Sequence, residues 1–169
     1  MKNILLLGAT GSIGKSVLSV ISENKNKFNL MGISFNSNYS KAEEIINNFL
    51  PKYVYIDDHD CYVKNTTNNG CTFLNGDSSL EQLIKNTEID IIICATSGFA
   101  GLKAASIAVT TGKKILLANK ESIVAGGDLI MPLAKKHKSE IIPIDSEHNA
   151  IFQCLSGENG IDDVQKVII

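Results

Sequence analysis

The sequence lacks the features that mark secreted, membrane and nucleic-acid-binding proteins. Met1 to Asn3 are followed by only four apolar residues, too few for the core of a signal peptide, and no apolar run approaches membrane-spanning length. Lysine plus arginine (16) nearly balance aspartate plus glutamate (18), and the resulting net charge of −2 favours neither a nucleic acid nor a membrane surface as a partner. These absences predict a soluble, cytoplasmic protein.

Cysteine motifs and linkers are also missing. The four cysteines, at positions 61, 71, 94 and 154, form no C-x-x-C pair and no ligand-like spacing with the three histidines, so reduced structural thiols are expected. No repeat and no Pro- or Gly-rich linker interrupts the 169 residues, of which 44% are apolar. The length and composition predict one globular domain with a proper core.

A glycine-rich turn follows the first apolar run. Ile4 to Leu7 predict a buried strand, and Gly8 to Gly14 read GATGSIG. Apolar residues then recur at helical spacing, at Ile13, Val17, Val20 and Ile21. Strand, glycine turn and helix together predict a dinucleotide site, because glycines let a pyrophosphate approach the free N–H groups at a helix N-terminus. The spacing is G-x-x-G-x-x-G rather than the commoner G-x-G-x-x-G.

The loop after the second predicted strand, Phe28 to Ser34, bears on the choice of cofactor. An NAD-specific fold places an Asp or Glu here, about 20 residues beyond the glycines, to hold the ribose 2′-hydroxyl. Asn36, Ser37 and Asn38 occupy this loop instead, and Lys41 is the nearest positive charge. The missing acid favours NADPH over NADH.

Strands and helices alternate along the rest of the chain. Further strands are expected at residues 53–56, 72–74, 89–95, 114–118 and 140–144. Capping boxes at Ser40-x-x-Glu43 and Ser78-x-x-Glu81 predict two helix starts, Gly112 a helix end, and Asp57 to Asp60 a polar turn. The strand at residues 114–118 is followed by Asn119 to Ser122 at its carboxyl end, and the helix after it is expected to run to about His137. This alternation predicts an α/β fold, a Rossmann-like doubly wound, mostly parallel sheet with helices on both faces.

Two carboxylates follow the last predicted strand, which we expect to be buried. Asp145 and Glu147 are two residues apart, and in an extended backbone residues i and i+2 point to the same side. The two carboxylates would therefore converge, with Ser146 beside them. Two hard oxygen ligands suit Mg²⁺ or Mn²⁺ better than zinc. A solvated acidic turn is the alternative interpretation.

Four polar segments end up at the carboxyl ends of predicted parallel strands. They are the glycine turn, Thr96–Ser97, Asn119–Glu121 and Asp145–Glu147. Ligands of parallel α/β sheets bind outside the carboxyl ends of the strands. The sequence therefore predicts one extended site along this edge.

With these residues assembled, the sequence resembles the N-terminal part of the 1-deoxy-D-xylulose 5-phosphate reductoisomerase family. Three stretches carry the resemblance, Gly8–Gly14, Leu116–Ser122 and Pro143–Gln153, and the last two are specific to the family. The resemblance implies an NADPH-dependent, metal-assisted rearrangement and reduction of that sugar phosphate to 2-C-methyl-D-erythritol 4-phosphate, a step in isoprenoid precursor synthesis. It also implies that the full-length protein is a homodimer.

The resemblance assigns roles to individual residues. The implied cofactor contacts are Thr10, Gly11, Ser12 and Ile13 at the pyrophosphate, Asn36, Ser37 and Asn38 at the adenosine 2′-phosphate, and Asn119 and Glu121. Lys120, Ser146 and Glu147 are implied as catalytic, substrate-contacting residues, and Asp145 and Glu147 as ligands of Mg²⁺ or Mn²⁺. Ser37 stands where many members carry a basic residue, which predicts weaker binding of the 2′-phosphate.

The resemblance further implies a longer protein. We expect residues 1–144 to form the NADPH-binding domain and residues 145–169 to begin a truncated catalytic domain, with Val164 to Ile169 as a strand cut short. Such a fragment would bind cofactor without turning over substrate. Two alternatives stay open: the cofactor domain of a semialdehyde or homoserine dehydrogenase, and a nucleotide-binding Rossmann module without catalysis.

Overall fold

A computed structural model describes residues 1–66, 70–98, 100–156 and 164–166. The strands of this part of the chain are β1 (Lys2–Leu7), β2 (Phe28–Phe35), β3 (Tyr53–Ile56), β4 (Thr72–Leu74), β5 (Ile91–Cys94), β6 (Lys114–Leu117) and β7 (Glu140–Pro143). The helices are α1 (Ser12–Glu23), α2 (Tyr39–Phe49), α3 (His59–Asn65), α4 (Asp77–Lys85), α5 (Ala100–Ala108), α6 (Lys120–His137) and α7 (Ser146–Cys154).

The seven strands form one sheet in the order β4-β3-β2-β1-β5-β6-β7, and each pairing is parallel. The chain begins with β1 at the centre of the sheet and forms β2, β3 and β4 in order toward one edge. It then crosses β1 and forms β5, β6 and β7 toward the other edge. The predicted Rossmann-like, doubly wound fold is confirmed. The direction of building reverses between β1 and β5, and a crevice opens at the carboxyl ends of the strands at such a point.

The core is divided between the two faces of the sheet, and β1 contributes to both. Leu5 and Leu7 pack with α4, α5 and α6, whereas Ile4 and Leu6 pack with α1, α2 and α3. Because successive side chains of a strand point to opposite faces, a strand covered on both sides needs a continuous apolar run. The uninterrupted sequence Ile4 to Leu7 meets this need.

Several predicted helix boundaries are wrong. The Ser40 capping box does not start α2, because the Asn38 side chain accepts the Lys41 N–H (3.3 Å) and starts the helix at Tyr39. Likewise α4 begins at Asp77 after Gly76, whose φ is +83°, rather than at a Ser78 box. The segment predicted as a polar turn begins α3, where the Asp58 carboxylate accepts the Cys61 N–H (2.7 Å).

Two further predictions concern the ends of elements. Helix α5 ends at Ala108, four residues before the predicted Gly112, which does adopt the expected positive φ of +71°. The Thr110 and Thr111 hydroxyls donate to carbonyl groups of the last turn, at 2.7 Å each, and so satisfy helix-end acceptors. Of the strand predicted at the end of the chain, residues 164–166 form no strand, and residues 167–169 lie outside the described residues.

The apolar stripe of α1 is only partly used by the core. Ile21 is buried, but Val20 is 53% exposed. Ile13, Val17 and Val20 line an apolar groove of about 480 Å³ together with half-buried residues such as Leu116. The helical spacing therefore predicted the helix correctly, while one of its apolar positions faces outward.

No helix within the described ranges is long and apolar enough to cross a bilayer.

Candidate functional site

Two neighbouring cavities lie at the carboxyl edge of the sheet. Cavity A, of about 310 Å³, is lined by the ends of β1, β2, β3 and β5, including Gly8, Thr10, Gly11, Ser34, Asn36, Tyr55 and Asp57. Cavity B, of about 220 Å³, is lined by the ends of β5, β6 and β7, including Ile13, Asn119, Lys120, Glu121, Asp145, Ser146 and Glu147. Residues Ala95, Thr96 and Ser97 border both cavities. The predicted edge of the sheet thus carries an elongated, two-part site.

The glycine turn between β1 and α1 shows which glycines the fold itself requires. A Cβ on Gly8 would lie 2.7 Å from the Ala95 carbonyl, and φ at Gly8 is +88°. A Cβ on Gly14 would lie 2.6 Å from the Gly8 carbonyl oxygen. Both positions therefore need glycine for close backbone packing.

Gly11 differs from the other two glycines. It is the N-cap of α1 with extended backbone (φ −78°, ψ 177°) and no side-chain cap, and the nearest atom to a Cβ would be the Gly8 oxygen at 3.5 Å. The protein leaves space at this position, which lines cavity A. The uncapped N–H groups of the first turn of α1 adjoin that space, as an anion site requires.

The loop after β2 carries the residues implied to hold a 2′-phosphate. Asn36 lines cavity A, but Ser37 and Asn38 line neither cavity. The Asn38 side chain caps α2, and the Ser37 carbonyl accepts bonds from the Tyr39 N–H (2.9 Å) and the Cys61 thiol (3.5 Å). All three loop residues are exposed. The loop is thus anchored by its backbone and caps, with the Ser37 side chain at the surface.

Asn119 joins the two halves of the site. Its side chain is buried, with 3% of the residue exposed, and caps α6 by accepting from the Ser122 N–H (2.7 Å) and hydroxyl (2.8 Å). Its amide nitrogen donates to the carbonyls of Thr96 (2.5 Å) and Gly98 (2.8 Å). These four bonds use both donors and both acceptors of the amide. The side chain therefore ties the loop after β5 to the start of α6 and fixes the backbone of Lys120.

The two carboxylates reach cavity B by a route other than the one predicted. Strand β7 ends at Pro143, and α7 begins at Ser146, so Glu147 is helical rather than extended. The argument from residues i and i+2 of a strand is therefore wrong, although both carboxylates line the same cavity. Strand β7 is also half-buried rather than buried, because it lies at the end of the strand order.

Asp145 is the N-cap of α7. Its carboxylate accepts from the His148 N–H (3.0 Å), and the His148 Nδ1 lies 3.0 and 3.1 Å from its two oxygens. Burial raises the pKa of Asp145, but these contacts with His148 outweigh that effect and hold the pKa below its usual range. The carboxylate is therefore ionised at neutral pH, as a cation ligand must be.

Glu147 faces Lys120 across cavity B. Its carboxylate lies 3.4 Å from the Lys120 Nζ, and the Ser146 hydroxyl donates to it at 3.0 Å. A bond from its own backbone N–H, then the Ser146 hydroxyl and the Lys120 charge, lower the pKa of Glu147. The two side chains are 48% and 59% exposed, so water screens the ion pair and it adds little stability.

Asp145 and Glu147 are the carboxylates of cavity B that we considered as ligands of a divalent cation. Within the described residues, no three His, Cys, Asp or Glu side chains are grouped as a metal site. Asp145 and Glu147 nevertheless supply two carboxylates at one cavity, and hard cations such as Mg²⁺ are commonly held by one or two carboxylates, with water and substrate oxygens completing the shell. By residue type, Asp145 and Glu147 are therefore suitable ligands for a hard divalent cation.

Sequence reasoning missed one part of the site. Tyr55, Asp57 and Leu80 line cavity A, whereas the sequence pattern predicts only a polar turn at Asp57. The available signal was its position directly after β3, at the same edge of the sheet as the glycine turn. Of the predicted residues, only Ser12, Ser37 and Asn38 line neither cavity.

The family's sequence profile matches most of the chain. The profile of 1-deoxy-D-xylulose 5-phosphate reductoisomerase matches residues 4–127. The chain belongs to this family. The enzyme of Ruthia magnifica subsp. Calyptogena magnifica is 42% identical over 168 residues, and that of Clostridium novyi (strain NT) is 41% identical over 174 residues. These matches cover 98% and 100% of the chain but 44% and 45% of the two relatives, so the chain spans less than half of their length.

Solved structures of the family share the fold. A DOX-P reductoisomerase in complex with NADPH, fosmidomycin and magnesium matches with a TM-score of 0.87 and 37% identity, covering 93% of this chain and 40% of that one. The Zymomonas mobilis reductoisomerase in complex with NADPH gives 0.86 and 33%, covering 94% and 42%. A hyperthermophilic archaeal homoserine dehydrogenase in complex with NADPH gives 0.57 and 20%, which indicates a common fold alone.

Proposed function

We propose that this chain is the cofactor-binding part of a reductoisomerase that converts 1-deoxy-D-xylulose 5-phosphate to 2-C-methyl-D-erythritol 4-phosphate, with NADPH and Mg²⁺ or Mn²⁺. The observation that carries the proposal is the contiguity of cavities A and B, which places the glycine turn and the two carboxylates on one continuous edge. Membership of the family supports it. Residues 1–144 would form the cofactor domain, residues 145–169 would begin the catalytic one, and the full-length protein would be a homodimer.

Cavity A would hold the adenosine half of NADPH. The N–H groups that open α1 would bind the pyrophosphate, with Thr10, Gly11, Ser12 and Ile13 around it. The loop of Asn36, Ser37 and Asn38 would hold the 2′-phosphate with amide and hydroxyl groups, and Asn119 and Glu121 would contact the cofactor from cavity B. Because the Asn119 amide is fully used within the protein, its contact would come from the backbone.

Cavity B would hold the reacting end of the substrate. Asp145 and Glu147 would hold the divalent cation, which when bound supplies Lewis-acid polarisation of a carbonyl. Ser146 and Glu147 would contact the sugar phosphate. The Lys120 ammonium, beside Glu147, would stabilise negative charge that develops on a substrate oxygen. The hydride is the chemistry of NADPH itself.

We expect NADPH to bind more tightly than NADH, because the loop after β2 offers no carboxylate to a ribose 2′-hydroxyl. This margin in affinity should be smaller than in family members that carry a basic residue at this position, because Ser37 is neutral. Ser37→Arg should widen it by roughly 1 kcal/mol, a factor of about five, through a charge-assisted bond to the 2′-phosphate. Fluorescence titration with both dinucleotides measures the margin. A clear preference for NADH would contradict the proposal.

The 169-residue chain on its own should bind NADPH without turning over deoxyxylulose phosphate. It spans less than half of its relatives' length, and a rate enhancement requires the substrate to be positioned by groups on every side. Absorbance at the NADPH band, with substrate and Mn²⁺ present, should stay flat. Substrate-dependent oxidation of NADPH at about 1 s⁻¹ or faster, an ordinary enzymatic rate, would refute this expectation.

A further inference from the structure

Cavity A ends at a tyrosine–aspartate pair that the reaction does not use. Tyr55 is the third residue of β3 and is 3% exposed, and its hydroxyl donates to the Asp57 carboxylate at 3.2 Å. Burial, and next the Asp57 charge, raise the pKa of Tyr55, so the hydroxyl stays protonated and remains a donor. The pair therefore orients one carboxylate at the wall of the cavity.

The backbone of Asp57 is fixed on both sides. Its N–H donates to the Phe35 carbonyl (3.0 Å), which ties it to the end of β2. The Asn75 side-chain amide donates to the carbonyls of Ile56 (2.6 Å) and Asp57 (3.2 Å), which ties it to the loop before α4. Together with the bond from Tyr55 to the carboxylate, these contacts hold Asp57 from three neighbouring segments. Such an acceptor is preorganised for a ligand.

The Asp57 carboxylate is not neutralised by a basic side chain. No lysine or histidine of the described ranges forms a salt bridge with it, whereas the nearby Asp77 is paired with Lys103. Apolar residues, Leu80 and Ala104, form part of the wall of the same cavity. A flat ring with one polar donor complements a slot of this kind, whereas a phosphate would be repelled.

The position of Asp57 along the edge indicates which part of the cofactor it meets. The glycine turn follows β1 and suits the pyrophosphate, and the loop after β2 suits the ribose with its 2′-phosphate. The next strand outward is β3, and Asp57 directly follows its last residue, Ile56. In the cofactor the next group outward from the ribose is the adenine base. Its 6-amino group is a donor, and a carboxylate accepts from it.

We propose that Asp57, positioned by Tyr55, is a specificity-determining residue for the adenine base and accepts a hydrogen bond from its 6-amino group. The inference rests on the proposed function, in which cavity A takes the adenosine half of NADPH. A hypoxanthine base carries an oxygen in place of the amino group, so two acceptors would face each other in its complex. Burying such an unmatched pair is costly, and a site built around one hydrogen bond rejects the analogue that lacks it.

The test compares NADPH with its reduced hypoxanthine analogue by fluorescence titration of the protein. The wild type should bind NADPH at least tenfold more tightly. Asp57→Asn keeps an oxygen for the Tyr55 hydroxyl and presents an amide N–H₂ to the base, so the ratio should fall to about twofold or reverse. Tyr55→Phe should lower the ratio by less, because the carboxylate loses only its positioning partner. Asp77→Asn is the matched control and should keep the wild-type ratio.

The outcomes separate the inference from the proposed function. Equal affinity of the wild type for both dinucleotides, with NADPH still bound, would overturn the role of Asp57 and leave the proposed function standing. A tenfold ratio that persists in Asp57→Asn would overturn it as well. A wild-type protein that binds neither dinucleotide would overturn the proposed function itself. Circular dichroism of each variant shows that the compared proteins are folded.

Discussion

Gly11→Ala should weaken NADPH binding at least tenfold, about 1.4 kcal/mol, while the protein stays folded. A methyl group at this N-cap would meet no protein atom closer than 3.5 Å and would occupy the space beside the first turn of α1. Alanine tolerates the observed φ of −78°, and loss of the glycine cap should cost less than about 1 kcal/mol of folding stability. Fluorescence titration gives the affinity, and urea denaturation gives the free energy of unfolding.

Gly14→Ala is the matched control, and we expect it to lower the folding stability rather than the NADPH affinity. A methyl group there would lie 2.6 Å from the Gly8 carbonyl oxygen, so α1 must move away from the turn. Overpacking of this kind should cost about 3 kcal/mol of folding stability. If Gly11→Ala loses stability and keeps its NADPH affinity, the turn is a packing feature and the cofactor site lies elsewhere.

Asp145→Asn and Glu147→Gln should each reduce Mn²⁺ affinity at least tenfold, about 1.4 kcal/mol. Both substitutions keep side-chain size while removing the charge that attracts a hard cation. Asparagine is as good an N-cap as aspartate, so Asp145→Asn should leave α7 capped and separates a ligand role from a capping role. Isothermal titration with Mn²⁺, with NADPH present, measures the change. NADPH affinity itself should stay nearly constant, because under the proposed function the glycine turn would bind the pyrophosphate.

Two controls complete the metal experiment. Glu140→Gln removes an exposed carboxylate from the start of β7, where it pairs with Lys114, and should leave Mn²⁺ affinity unchanged. Lys120→Ala should also spare Mn²⁺ affinity, because an ammonium group has no lone pair with which to bind a metal, and under the proposed function it should weaken substrate binding instead. Unchanged Mn²⁺ binding in both carboxylate variants would contradict a ligand role. It would indicate that Asp145 only caps α7 and that Glu147 only forms a surface ion pair with Lys120.

The sheet edge was predictable from sequence because it depends on patterns that tertiary contacts reinforce. Apolar runs such as Ile4 to Leu7, each followed by polar or glycine residues, predict buried parallel strands. Parallel strands then bring distant loops to one edge, whatever the exact length of each helix. For this reason Thr96, Lys120 and Glu147 could be placed at one site from the sequence alone.

Local geometry was less predictable, because several residues compete for each role. Asn38 and Ser40 are both good N-caps, and which of them starts α2 depends on where β2 ends. At Asp145 the capping bond to His148 starts a helix immediately, which an extended strand pattern does not reveal. The Tyr55–Asp57 contact joins a residue of β3 to the residue that follows the strand, and only the structure shows that both line cavity A.

The glycine turn and the carboxylates follow strands that differ in burial and in the number of neighbouring strands. Strand β1 has a neighbour on each side and buried residues on both faces, whereas β7 closes the strand order, is half-buried, and leads into α7, which has no buried residue. Amide hydrogens of β1 should exchange with solvent only through global unfolding, and those of β7 and α7 through local opening. The pyrophosphate half would thus be a fixed template, while the cation half adjusts its shape to its occupant.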